Sequence, residues 1–223
     1  MHDRNCMVTL TYAPDQLPAA GNLVYRDYQL FMKRLRKEVG KVRFFMCGEY
    51  GTENRRPHFH ACLFGINFDH DKYSFRGRFR SPSLERIWEH GMCDVGELNF
   101  KSAAYCARYI CDKVTGDLAE EHYKGLEPEF CHMSLKPGIG AAWLDKFGSD
   151  VYPHGRVVIN GKEVNPPKYY DRRYKRVAPV DAQELADQRA FKAVKTVGDR
   201  TFARLKVREE VTRARLRDLK REL

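Results

Sequence analysis

The sequence predicts an α+β protein, a central antiparallel sheet with helices packed on its faces, on three observations. Strand-like apolar runs alternate with amphipathic helical stretches through the first 150 residues. Two of those runs, Val42–Tyr50 and His58–Phe64, flank the short segment Gly51–Pro57, which reads as a hairpin loop. At 43% hydrophobic residues, the 223-residue chain can also bury a sizeable core.

The elements follow in order. Cys6–Tyr12 alternates around β-branched residues and stops ahead of Pro14, a strand. Asp27–Val39 sets Leu30, Phe31 and Leu35 among basic residues and is closed by Gly40, an amphipathic helix. Two strands, Val42–Tyr50 and His58–Phe64, precede a polar insert carrying Arg76, Arg78 and Arg80. A short helix is expected over Leu84–His90 with Ser83 as its cap, then a strand over Met92–Phe100. Ser102–Thr115 reads as a helix stopped by Gly116. The charged segment from Asp181 to Leu223 reads as one or two helices with Gly198 as a break.

Charge divides the chain unevenly. Residues 1–150 hold 21 Lys+Arg against 20 Asp+Glu, whereas residues 151–223 hold 19 against 10, so nearly all of the +10 excess lies in the rear third. The expected organisation is a folded domain over 1–150, a basic Pro/Tyr-rich extension over 151–180 and a charged helical tail over 181–223. That tail reads either as a solvated helix laced with i,i+4 ion pairs or as an arm for nucleic acid or a partner. No apolar run approaches a membrane span and no charged-then-apolar leader opens the chain, so a soluble, cytoplasmic protein without membrane partners is expected. The 7 cysteines are scattered without a Cys-x-x-Cys pair, which argues against a disulfide scaffold or a Cys-rich zinc site and fits a reducing compartment.

Two constellations carry chemistry. In Pro57-His58-Phe59-His60 the period of a strand puts both histidines on one face, about 7 Å apart. They read as ordinary half-buried histidines or as two ligands of one ion. Glu49, brought back by the hairpin, reads either as a surface carboxylate facing Arg55 or Arg56 or as a third ligand in a mixed N/O site suited to Mg²⁺ or Mn²⁺. In the second, Tyr105, Tyr109 and Lys113 recur at i, i+4 and i+8 on one helix face. A core-facing aromatic pair is one reading. The other is a pair of phenol nucleophiles whose pKa a neighbouring lysine lowers. Arg55, Arg56, Arg76, Arg78 and Arg80 flank the metal strands, and Lys101 and Arg108 lie near the tyrosines. These are candidate phosphate contacts or solvated loop charge.

With those motifs in hand, the sequence resembles the HUH endonucleases, and most of all the replication initiation proteins of gokushovirus-like Microviridae, small single-stranded-DNA bacteriophages. The resemblance rests on Met7–Tyr12, on Gly48-Glu49-Tyr50-Gly51 leading to Arg56-Pro57-His58-Phe59-His60, on Tyr105 and Tyr109 ahead of Lys113, and on Met133–Gly140. It spans roughly residues 5–175. Two departures stand out. Relatives commonly carry a lysine three residues after the second tyrosine, where this chain has Asp112, so only Lys113 is left for that role. They also carry more chain before the first strand, which points to a truncated or reassigned start.

The resemblance implies an HUH/Rep nuclease fold with a ferredoxin-like or RRM-like core and rolling-circle initiation at a single-stranded origin. One tyrosine attacks the scissile phosphate, leaving a 5′-phosphotyrosine and a 3′-OH that primes a host polymerase, with a host helicase as a further partner. The second tyrosine then terminates the round, and the freed 3′-OH closes the circle. A plasmid initiator or relaxase shares this chemistry. A non-catalytic nucleic-acid binder, with the basic rear third as its working part, is the rival of another class.

Overall fold

The structure, a computed structural model, describes residues 1–51 and 54–217, with the side chains of 109–112 set aside. The chain divides into two compact units, one over His2–Leu135 and one beginning at Lys136.

The first unit runs β1 (Asn5–Thr11), α1 (Tyr25–Val39), β2 (Arg43–Tyr50), β3 (Pro57–Phe64), β4 (Tyr73–Phe75), β5 (Arg78–Arg80), α2 (Pro82–Trp88), β6 (Cys93–Gly96), α3 (Phe100–Asp112), α4 (Leu118–Tyr123) and β7 (Phe130–Met133). Five strands form one sheet in the order β6-β1-β3-β2-β7, antiparallel throughout. The expected α+β architecture is therefore what the chain adopts. β4 and β5 form a separate two-stranded ribbon.

Strand periodicity sorts the side chains onto two faces. Val8, Leu10, Met46, Phe59, Ala61 and Leu63 turn to one side and are buried against Tyr28, Phe31 and Leu35 of α1 and Leu84 and Trp88 of α2. Trp88 is completely buried, and truncating a ring of that size in a core costs about 3–5 kcal/mol. The opposite face carries Met7, Cys47 and Cys62, covered by Cys106 and Ala103 of α3. This thin second layer leaves the Tyr50 end of β2 and the Pro57 end of β3 for polar groups.

Boundaries differ from expectation where capping chemistry decides them. Ser81, not Ser83, caps α2: its hydroxyl accepts from the Leu84 N–H, and Pro82 takes the first helical position. The strand expected to reach Phe100 ends at Gly96, because Asn99 caps α3. The Asn99 side chain accepts from the N–H groups of Lys101 and Ser102, and the Ser102 hydroxyl accepts from the Asn99 N–H at 2.8 Å. That capping box draws Phe100 and Lys101 into the first turn. At the other end the helix stops at Asp112 rather than Thr115. Lys113 is already extended, and the Val114 N–H donates to the Tyr123 hydroxyl at 3.0 Å.

The second unit comprises α5 (Ala141–Val151), the hairpin β8 (Val157–Ile159) and β9 (Lys162–Val164), α6 (Lys168–Val177), α7 (Pro179–Val194) and α8 (Phe202–Arg217). Leu144, Val151, Tyr152 and Leu185 form its core, with Trp143, Tyr170 and Tyr174 packed against them. Tyr152 stacks on Tyr174 at 3.9 Å. Asp171 ties α6 to its neighbours, accepting from Tyr152 at 2.8 Å and from Arg189 of α7 at 2.9 Å. The expected tail from 181 is thus not one element: α7 supplies core residues, whereas α8 buries none. The break falls near Gly198, inside a short 3₁₀ turn over Val197–Arg200, and residues 218–223 lie outside the described residues. No described helix is long and apolar enough to cross a membrane.

Candidate metal centre and tyrosine helix

Register brings Glu49, His58 and His60 together. In the β2–β3 ladder Glu49 stands opposite His58 and Cys47 opposite His60, and directly opposed residues project to the same face. The Glu49 Oε1 atom lies 2.7 Å from His58 Nε2 and 3.0 Å from His60 Nε2. The two imidazole rings are 4.9 Å apart and nearly perpendicular. One ligand atom from each of the three residues lies within 4.8 Å of the others. Glu49 is 5% exposed and His60 6%, so the carboxylate is enclosed by the histidines and is not a surface group.

The far nitrogens of both rings are held as well. His58 Nδ1 lies 3.0 Å from the Arg56 carbonyl oxygen, which can only accept, so Nδ1 carries a proton and Nε2 is the atom turned inward. His60 Nδ1 lies 2.9 Å from the Thr9 hydroxyl on β1, where Thr9 is in register with His60. Outer partners of this kind fix ring orientation around metal ions, and two imidazoles with a carboxylate oxygen suit a divalent ion. The residues present therefore fit such an ion. Thr9 lay in plain sight in the first strand, but only the register shows what it touches. A Thr9→Val variant is expected to bind Mn²⁺ about 10–100-fold more weakly. A Mn²⁺ titration checks this, and unchanged affinity would remove Thr9 from the site.

Electrostatics follow from this enclosure. Burial raises the Glu49 carboxyl, but hydrogen bonds from His58 and His60 outweigh it and hold the group below its ordinary value. Burial lowers His58, yet its hydrogen bond to Glu49 and the carboxylate charge lift it above its ordinary 6.5. A metal-bound His58 must give up its Nε2 proton, so proton and ion compete. Because the His58 value is raised, that competition extends to higher pH than for a free histidine. Mn²⁺ affinity should fall as pH drops through the His58 value, by at most about tenfold per pH unit for one displaced proton. Calorimetric titrations across this range test it, with a flat profile as the contrary result.

Helix α3 places its residues beside this group. Cys106 is fully buried, its Sγ 3.6 Å from both the His60 carbonyl oxygen and Cys47 Sγ. That contact seats the helix on β2 and β3. The preceding residue, Tyr105, is half-buried with its ring 5.2 Å from the His60 ring and nearly perpendicular to it. The Arg108 guanidinium lies 5.9 Å from the Tyr105 centroid. The Tyr109 side chain lies outside the described residues. Lys113 is the exposed C-cap, one residue beyond the helix, so it does not continue the helical stripe of the two tyrosines. Lys101 is exposed in the first turn.

The remaining cations fall into distinct settings. Arg56 is the residue whose carbonyl holds His58, and its Nε and Nη2 atoms are buried with no hydrogen-bond partner among the described residues. Arg55 lies over the Tyr50 ring. Arg80 is ion-paired with Glu85, Arg78 with Asp94 at 2.8 Å, and Arg76 lies over the Phe75 ring.

An antiparallel sheet with a carboxylate and two imidazoles on one face, and a tyrosine-bearing helix laid beside them, is carried by residues 5–114. Those residues match the model of the replication-associated protein ORF2 family, and that segment of the chain belongs to it. The chain is similar to three phage proteins. It is 29% identical to the replication-associated protein VP4 of Bdellovibrio phage phiMH2K, over 80% of this chain and 60% of that protein. It is 33% identical to the replication-associated protein ORF2 of Spiroplasma virus 4, over 77% and 58%, and 27% identical to the replication-associated protein ORF4 of Chlamydia phage 1, over 82% and 49%. The chain thus spans about half to three-fifths of the length of these relatives. The resemblance to phage replication proteins read from the motifs is borne out. No solved structure matches the chain.

Proposed function

We propose that this protein initiates rolling-circle replication by nicking and rejoining single-stranded DNA at an origin, through a tyrosine–DNA covalent intermediate. The observation that carries this reading is the placement of Tyr105 against His60, within the group formed by Glu49, His58 and His60. A divalent ion held by those three residues would polarise the scissile phosphate and offset charge developing on it. The chain's own groups do the rest. The Tyr105 hydroxyl oxygen attacks phosphorus and loses its proton, the Tyr–O–P bond forms, and the P–O3′ bond breaks. A 5′-phosphotyrosine and a protonated 3′-OH result. Tyr109, one helical turn on by sequence, is the second nucleophile, and Lys113 is the cation nearest in sequence to favour its phenolate. Storing the phosphodiester in the tyrosyl bond lets the later joining proceed without a nucleotide cofactor.

Arg56 fits the role of phosphate contact. A buried guanidinium with unmatched donors is costly, and a phosphate oxygen satisfies it in the fork geometry arginine favours. Arg55, Arg76, Arg78, Arg80, Lys101 and Arg108 complete the proposed contacts. A host polymerase extending the 3′-OH, and a host helicase opening the duplex, are the partners this chemistry calls for.

The test is incubation with single-stranded origin DNA and Mn²⁺, followed by a denaturing gel. A protein–DNA adduct is the expected result, and binding with no adduct under any metal would favour the non-catalytic reading.

The exposed helix α8 raises a question the same protein can answer. Truncation at 181 would remove Leu185 and Arg189 from the second unit's core, so a truncation beginning at Thr201 isolates α8 cleanly. If Arg204, Lys206, Arg208 and their neighbours neutralise phosphates, this truncation lowers DNA affinity and flattens its salt dependence by about one unit of slope for each phosphate left unneutralised. An unchanged slope would make α8 a solvated helix.

A further inference from the structure

The geometry points to the β4–β5 ribbon as a base-stacking platform for single-stranded DNA, a binding site outside the metal centre that delivers the strand to it. This rests on the nuclease reading above but concerns different residues. The ribbon turns through Arg76 and Gly77, both at positive φ (50° and 78°), a tight two-residue hairpin in which glycine is favoured. Around that turn stand three aromatic residues, each substantially exposed: Tyr73 at 43%, Phe75 at 43% and Phe79 at 48%. A short surface hairpin gains nothing in solubility from three open rings, and none of them belongs to the buried core of the sheet.

Cations frame the rings. The guanidinium groups of Arg76 and Arg80 lie 5.4 and 5.3 Å from the Phe75 centroid, and the Lys72 ammonium 5.1 Å from that of Phe79. Between Lys72 and Arg80 there are four cations and no acid. Alternating aromatic and basic side chains on an exposed element match an unpaired strand: rings meet base faces and cations meet phosphates. A duplex, whose base faces are already stacked, offers the rings nothing.

Register ties this platform to the metal centre. Arg78 is bridged to Asp94 on the edge strand β6 at 2.8 Å. Asp94 stands opposite Thr9, and Thr9 opposite His60, so Asp94 and His60 share one face of the sheet, two strand spacings or about 10 Å apart. A strand stacked on the ribbon is thereby held beside the face on which Tyr105 and His60 lie.

The test uses the full chain in chelator, so that binding is read without cleavage, by anisotropy of a labelled single-stranded oligonucleotide and of its duplex. Phe75→Ala and Phe79→Ala should each weaken single-strand binding by about 5- to 150-fold, the range for loss of one stacked base. Duplex binding should change less than twofold. Phe75→Leu, which keeps an apolar side chain in place, should be weakened like alanine, and Phe75→Trp should bind at least as well as wild type. Single-strand affinities unchanged in both alanine variants would overturn the proposal. So would equal losses on single strand and duplex, or full rescue by leucine, since those outcomes assign the rings to ribbon packing. Adduct formation by wild type with Mn²⁺ is scored separately. A wild type that binds through the ribbon yet forms no adduct would remove the nuclease reading and leave the platform standing.

Discussion

His60→Ala is expected to lower metal-dependent nicking by at least about 100-fold, with single-strand affinity close to wild type. The factor takes the largest loss usual for an outer partner of a metal ligand as a floor, since His60 is proposed as a ligand itself. The side chain is enclosed between Glu49 and Thr9, so its removal also leaves the Glu49 carboxylate with one fewer hydrogen bond in a buried site. His58→Ala should behave alike, because both rings turn Nε2 to the same carboxylate oxygen. Affinity is expected to survive because the proposed phosphate contacts are arginines and lysines rather than histidines. Excess chelator should reproduce both variants in the wild-type protein, and added Mn²⁺ should reverse the chelator but not the substitutions. Single-turnover nicking and anisotropy on the same preparations, alongside a thermal melt to exclude unfolding, decide it. Full nicking by His60→Ala, or by wild type in excess chelator, would show that the group is structural.

Much of this arrangement was legible in the residues, and the parts that were not share a physical reason. The period of two in His58-Phe59-His60 and the short return through Gly51–Pro57 were enough to place Glu49 opposite the histidines, and the ladder has that register. Strand and helix identities in the first unit likewise follow from apolar periodicity. Helix ends did not, because Asn99 and Ser102 satisfy each other's backbone groups, a pairwise device that leaves no mark on hydrophobic pattern. Thr9 and Asp94 were invisible as neighbours of His60 for a different reason. They come from strands far away in sequence, β1 and β6, and only the strand order places them in one row. The ribbon over Tyr73–Arg80 read as a polar insert because its arginines dominated, whereas the exposure of its rings is a property of the fold alone. In the rear third, the dense charge of α7 concealed Leu185 and Arg189, which hold that unit together.

The tyrosines offer the sharpest separation between chemistry and packing. Phenylalanine keeps the ring that meets His60 at 5.2 Å and deletes the hydroxyl. If Tyr105 and Tyr109 serve only as apolar surface, Tyr105→Phe and Tyr109→Phe should leave activity near wild type, singly and together. If both are nucleophiles, the assays diverge. Either single variant can still nick, because residues four apart on a helix lie about 5–6 Å from one another and the surviving hydroxyl has access to the same phosphate. The double variant has no phenol left at either position and should form no covalent adduct. Complete cycles of cleavage, transfer and joining need two attacks in succession, so each single variant should fail at repeated turnover even where its first cut is normal. The measurements are adduct yield on a denaturing gel and release of closed single-stranded circles over time. An adduct from the double variant would place the nucleophile elsewhere. A single variant that released circles at the wild-type rate would show that one tyrosine performs both attacks, and the pairing at i and i+4 would then belong to packing.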